Sequence, residues 1–116
     1  MPPASLAPLD RIQGTLDMLI LKTILHRPMH GWGIAHHIRD SSAEELQVNQ
    51  GALYPALHRL EAQGWVSASW GVSESNRRAR FYTITPAGRE HVRAEGRAWL
   101  RHAAAVTSVL RAAPAI

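Results

Sequence analysis

From Leu16 to Leu25 the apolar positions fall at 16, 18, 19, 20, 21, 24 and 25, which covers most of a helical circumference and predicts a first helix buried on several sides. Thr15 is placed as its N-cap, Asp17 favours its N-terminus, and Pro28 closes it. A second, short helix is expected over Gly31 to Asp40, with Ile34, Ala35 and Ile38 at helical spacing on its inner side. Ser41 to Glu45 reads as polar loop, and Leu46-Gln47-Val48 alternates as a brief extended piece would. Asn49 then offers an N-cap to a third helix. In it Leu53, Leu57 and Leu60 fall within about 60° of one another at roughly 100° per residue, and Gly64 supplies its C-terminal stop.

Beyond Gly64 the period changes. Trp65 to Ser69 and Arg80 to Thr85 are rich in aromatic and β-branched residues, and Trp70 to Ala79 between them carries Gly71, Ser73, Ser75 and Asn76, so a hairpin is predicted. Thr85-Pro86 is a hydroxyl N-cap followed by proline at the first helical position, and it opens a long final helix to about Ala112. Along that helix Val92, Gly96, Trp99, Ala103, Val106, Leu110 and Ala113 repeat at alternating steps of four and three, an a/d seam that asks for a partner helix. Either the seam meets a second copy across a two-fold axis or it lies on its own domain; a helix this long outreaches a small domain, which favours the dimer. The order helix, helix, helix, hairpin, long helix gives a mainly α fold with a β-hairpin wing (α+β). An N-terminal arm over 1–13 with three prolines up to Pro8, a winged helix-turn-helix over 14–85 and a dimerisation helix over 86–113 divide the chain.

Charge sharpens this outline. The chain of 116 residues has a formal net charge of +4, with net −1 over residues 1–46, where four basic side chains meet five acidic ones. Residues 47–83 have four basic and two acidic side chains, and residues 86–116 five and two, so the basic excess sits in the second half. A polyanion partner is permitted by this balance but not demanded.

If the leucines of the third helix point inward, its opposite side is made by Gly51, Pro55, His58, Arg59 and Ala62, with Tyr54 on the flank. That slim face suits entry into a major groove about 12 Å wide. Gln50, Tyr54, His58 and Arg59 are the groups that could reach DNA: Gln50 an adenine, Arg59 a guanine or a phosphate, Tyr54 a phosphate. The bland alternative is a solvent-facing helix with ordinary polar residues. Pro55 opposes the helix, because its missing N–H costs a hydrogen bond, so the helix is expected to kink there or begin late. In the wing, Arg77, Arg78 and Arg80 cluster with only Glu74 nearby, and clustered guanidiniums invite phosphates.

Three segments together, His30-Gly31-Trp32-Gly33-Ile34, Gly51-Ala52-Leu53-Tyr54-Pro55-Ala56-Leu57-His58-Arg59-Leu60-Glu61 and Arg80-Phe81-Tyr82-Thr83-Ile84-Thr85-Pro86-Ala87-Gly88-Arg89, resemble the PadR family of bacterial transcription regulators over about Gln13 to Leu110. The resemblance is to its short-tailed members. It implies a homodimeric regulator, usually a repressor, that binds an imperfect palindrome in double-stranded DNA and often releases it on binding a small, frequently aromatic effector. The family tends to have tyrosine at Trp32, threonine at Ala52 and a glycine-containing wing at Asn76-Arg77, so base preference need not carry over. Trp99 resembles the tryptophan that, paired across the dimer in a multidrug-sensing member, sandwiches flat aromatic compounds. Trp99 is thus both a seam residue and the candidate effector pocket.

Other classes find little support. There is no cysteine, no signal-like segment and no apolar run of the roughly 20 residues needed to span a bilayer, so a cytoplasmic protein is expected. Seven histidines raise the question of a metal enzyme. No HExxH occurs, however, and His36 and His37 diverge on a helix; neither metal, cofactor nor catalysis is expected. Arg89, Arg93, Arg97 and Arg101 form a stripe that calls for neutralisation, by Glu90, Glu95, the partner or DNA. The alternative function is a winged-helix protein-interaction module that does not bind DNA.

Overall fold

The computed structural model describes residues 13–115. Seven elements follow one another: α1 (Gln13–Thr23), β1 (Met29–His30), α2 (Gly31–Ser41), α3 (Gln50–Ala62), β2 (Val66–Val72), β3 (Arg78–Ile84) and α4 (Pro86–Arg111). Apart from Gln13, which opens α1, the arm expected over 1–13 lies outside the described residues.

Helix α1 is buried as its sequence requires, with Leu16, Ile20 and Leu21, and Ile24 just past its end, essentially closed off from solvent. Its ends differ from expectation. The helix already includes Thr15, so that residue is no N-cap, and it stops at Thr23, several residues short of Pro28. The Thr23 hydroxyl donates to the Leu19 carbonyl at 2.8 Å, a bond that competes with helix continuation.

The three strands form an antiparallel sheet in the order β1-β3-β2. Leu46-Gln47-Val48 forms no strand. The place beside β3 goes instead to Met29 and His30, opposite Tyr82 and Phe81, while Leu46 and Val48 lean half-buried on the core. Two paired residues are too few to leave a period-2 trace.

Helix α3 is capped as expected: the Asn49 side chain accepts from the Ala52 N–H at 2.8 Å. Leu53, Leu57 and Leu60 are buried, and Ala56 joins them. Pro55 stands inside the helix, which begins at Gln50 and so does not begin late. The carbonyl that Pro55 leaves without its N–H partner belongs to Gly51, an exposed residue, so water can replace the lost bond. Gly64, at φ 78°, ends the segment in the left-handed region.

The hairpin strands run farther than the side-chain pattern suggests, leaving only the turn between Val72 and Arg78. Asn76 adopts φ 60° there, its N–H donates to the Ser73 carbonyl, and the Ser73 N–H donates to the Arg77 carbonyl. At the wing's base the Thr85 hydroxyl accepts from the Gly88 N–H and donates to the Gly64 carbonyl at 2.7 Å. A Cβ on Gly88 would fall 2.2 Å from the Trp65 carbonyl oxygen, so only glycine lets α4 start this close. Trp65 also stacks on His91 at 3.6 Å, and Arg89 donates to the Leu25 carbonyl at 2.8 Å, fixing the first turns of α4 on the domain.

Candidate nucleic-acid interface

Val66, Ala68, Trp70 and Val72 on β2 and Ile84, Tyr82, Arg80 and Arg78 on β3 share one sheet face, because alternate residues point the same way and Trp70 pairs with Arg80. Near α4 this face is buried. Toward the tip it overhangs the domain, and Trp70, Arg78 and Arg80 are exposed. The overhang, the N-terminus of α2 and the outer side of α3 enclose a cleft of about 850 Å³.

Tyr54 and His58 of α3 and Arg77, Arg78 and Arg80 of the wing all line this cleft, so five of the seven residues singled out for DNA contact share one concavity. Gln50 does not line it; it is exposed at the first position of α3. Arg59, placed by the sequence on the groove side, turns instead to α1, where its guanidinium bonds Asp17 at 2.9 Å in a mostly buried pair. Its Nε is buried without a partner among the described residues. The helical wheel separates faces but not the neighbours at their edges, and Arg59 lies at the edge nearest α1. Asp17 correspondingly serves this pair and not the N-terminus of α1, whose first turn has no acidic residue.

The wing arginines differ among themselves. Arg80 donates to both oxygens of Glu61, at 3.1 and 3.4 Å, and so is held across to α3. Arg78 lies over the Trp70 ring at 4.9 Å from its centroid, a cation–π arrangement that leaves N–H groups for a further acceptor. Arg77 stands in the turn, and no ion pair among the described residues involves it.

Sequence reasoning missed several lining residues: His30, Gly31, Trp32, Trp70 and Tyr82. His30 ties the site together. Its Nδ1 accepts from the Gly33 N–H at 3.0 Å, capping α2, so the neutral ring carries its proton on Nε2, which faces Glu74 of the wing turn at 3.2 Å. Backbone hydrogen bonding and the His30 bond hold the Glu74 carboxyl below its ordinary range. Burial pushes the Tyr82 hydroxyl up, so it remains protonated on the cleft floor. Tyr54 places its hydroxyl beside the backbone of Gly31. The available signal was Trp70, which continues the face of Val66 and Ala68 beyond the point where the core ends.

On α4 the predicted seam divides. Val92 is 5% exposed and belongs to the chain's own core, a correction to its placement between subunits. Gly96 and Ala103 are half-buried, whereas Trp99, Val106 and Leu110 are exposed, Leu110 by 80%. Arg93, Arg97 and Arg101 make no ion pair among the described residues, so Glu90 and Glu95 do not neutralise them within the chain.

Residues 20–94 match the model of the transcriptional regulator PadR-like family. A transcriptional regulator of Mycobacterium tuberculosis is 38% identical over 76 residues, covering 56% of this chain and 70% of that protein. Among solved structures, a transcriptional regulator from Clostridium thermocellum superposes with a TM-score of 0.74 at 27% identity, covering 85% of this chain and 96% of its own. A PadR family regulator from Eggerthella lenta gives 0.72 at 27% identity, with 90% and 88% covered.

Proposed function

Since the chain belongs to the transcriptional regulator PadR-like family, we propose that it is a ligand-responsive repressor that binds a palindromic operator as a homodimer through α3 and the wing. The family makes it a regulator and not an enzyme, and implies DNA binding. No helix among the described residues is long and apolar enough to cross a membrane.

The observation that carries the mode of binding is the shared cleft of α3 and the wing, with Tyr54 and His58 on one wall and Arg77, Arg78 and Arg80 on the other. In this reading the exposed N-terminal part of α3 enters the major groove, where Gln50 and His58 meet base edges. Arg77 and Arg78 neutralise phosphates alongside it, and Arg80, paired with Glu61, keeps the wing at a set height over the helix. Arg59 is a structural residue in this scheme. In this reading the seam from Gly96 to Leu110 meets its copy, and the two α3 helices take successive turns of DNA, roughly 34–36 Å apart. Trp99 lies near the wing-proximal end of that seam, flanked by Gly96 and Ala103, where a pocket for a flat effector would open.

The decisive measurement is DNA affinity as a function of salt for the wild type and for Arg77→Ala/Arg78→Ala. The double variant is expected to bind every sequence more weakly and to lower the slope of log affinity against log salt by up to about 3.6 for the dimer, near 0.9 for each of the four phosphates no longer neutralised. Unchanged affinity and slope would remove the wing from the interface. If the wild type itself lacks salt-dependent DNA binding, the protein-interaction alternative takes its place.

A further inference from the structure

Tyr82 lines the cleft yet is only 6% exposed. A phenol this far from water ordinarily has a hydrogen-bond partner, because burying the hydroxyl without one costs free energy. Among the described residues no hydrogen bond involves it. Burial keeps the hydroxyl protonated, and the two charged groups near enough to act on it, Arg80 and Glu61, are engaged with each other. The chain thus holds a buried donor ready at the cleft floor and gives it nothing to donate to.

Further donors meet it there. Helix α2 opens into the cleft, with Gly31 and Trp32 in the lining. Its eleven residues place the positive end of a helix dipole at the cleft, and no acidic residue stands in its first turn. His30 caps the Gly33 N–H alone, one of the four that a helix N-terminus leaves unpaired. Tyr54 of α3 brings a second phenol. A Cβ on Gly31 would fall 3.1 Å from its hydroxyl oxygen, so glycine is what lets that hydroxyl lie against the first residue of α2. Tyr82 pairs with Met29, two residues before Gly31, and the two phenols are close enough to act on one another. The carboxylates at the cleft are committed, Glu74 to His30 and Glu61 to Arg80. Helix α2, helix α3 and strand β3 therefore each turn donor groups toward one place, which is what an oxyanion requires.

We propose that one phosphate of the bound duplex seats at the N-terminus of α2, accepting hydrogen bonds from the Tyr82 and Tyr54 hydroxyls, and that this seat fixes how far α3 enters the groove. The inference rests on the reading that α3 and the wing bind DNA. A phosphate held by three elements at once sets their height and register on the backbone without reading a base. Its role differs from that of Arg77 and Arg78, because phenols supply direction and no charge. Losing one weakens binding without changing the number of counterions released.

The test uses full-length protein and a duplex selected from a random pool for tight binding. Tyr82→Phe deletes the hydroxyl oxygen alone. It should bind about tenfold more weakly per protomer, since a hydrogen bond to a charged acceptor is lost, with the slope of log affinity against log salt unchanged. It should also unfold at a urea concentration no lower than the wild type, because the atom removed is buried and unbonded. Neutral methylphosphonates are then placed one position at a time, symmetrically in both half-sites. At one position the substitution should weaken the wild type and cost Tyr82→Phe little more, and Tyr54→Phe should show the same coupling at the same position.

Wild-type affinity in Tyr82→Phe would overturn the proposal. So would an affinity loss that is equal at every methylphosphonate position and accompanied by lower stability, which would make the hydroxyl structural, or coupling of the two phenols to different phosphates. Salt-dependent binding of the unmodified duplex by the wild type reports separately on the underlying reading. If it is present while Tyr82→Phe binds as the wild type does, the seat alone fails; if it is absent, both fall.

Discussion

At the scale of single residues, two side-chain contacts illustrate what holds the helices and the wing in place. Asp17 and Arg59 join α1 to α3 in a mostly buried pair, so removing either partner leaves a charged group without its complement. Asp17→Ala and Arg59→Ala should each lower unfolding free energy by about 1–3 kcal/mol in urea titrations, and the double variant should lose less than the sum. An Arg59→Ala variant that keeps full stability but changes base preference would return Arg59 to the DNA face. Glu74 behaves differently because it is open to solvent. Its carboxyl is held below the ordinary range by backbone hydrogen bonds and by His30, so the contribution of this contact is complete above the ordinary glutamate range and fades as pH falls through the depressed value. Amide resonances of Ser73 to Arg77 should therefore titrate at that lower value, and Glu74→Gln should abolish the transition. A wing that shifts only with global acid unfolding would show the contact to be unimportant.

At the scale of elements, caps and periodicities were legible and edges were not. Asn49 and Thr85 cap the helices assigned to them, because a side-chain oxygen before an apolar run has a local use that needs no knowledge of the fold. Thr15 fails as a cap since the chain before it was free to continue the helix, and β1 escaped notice since two residues carry no pattern. The cleft was half legible: arginines and α3 polar groups stood out by type, but the lining by Trp32 and Trp70 depends on how far the sheet overhangs the domain, a long-range property. The junction between wing and α4 is the tightest such long-range feature. Gly88→Ala would drive a methyl group into the Trp65 carbonyl and should destabilise by about 1–3 kcal/mol or more, separating α4 from the wing base. Thr85→Ala removes one cap bond and the bond to the Gly64 carbonyl and should cost about 1 kcal/mol. If thermal unfolding ranks Thr85→Ala as the more damaging of the two, the close approach is not what sets this junction.

At the scale of the whole molecule, the shape is unlike that of a self-contained domain. The radius of gyration is 16.1 Å, against roughly 13 Å for a compact chain of this length, and the long dimension of 61 Å reflects the outward reach of α4. With 26 residues α4 is about 39 Å long, and among the described residues its apolar positions beyond Val92 join no core cluster. Trp99, Val106 and Leu110 form an exposed apolar strip that water would have to cover, with Leu100 and Val109 on its two flanks. A second α4 laid along it would bury these side chains, and it would join two cationic clefts whose combined grip on DNA exceeds that of either alone. Since Val106 and Leu110 lie far from the cleft and outside the core, Val106→Glu/Leu110→Glu should produce a monomer by sedimentation at concentrations where the wild type is dimeric. The far-ultraviolet dichroism of α1 to α3 and the wing should be kept. DNA affinity should then fall by at least about tenfold while the salt dependence per protomer persists, because each cleft is intact but acts singly. A double variant that remains dimeric would place the interface on another face, and one that is monomeric yet binds the operator undiminished would separate dimerisation from DNA recognition.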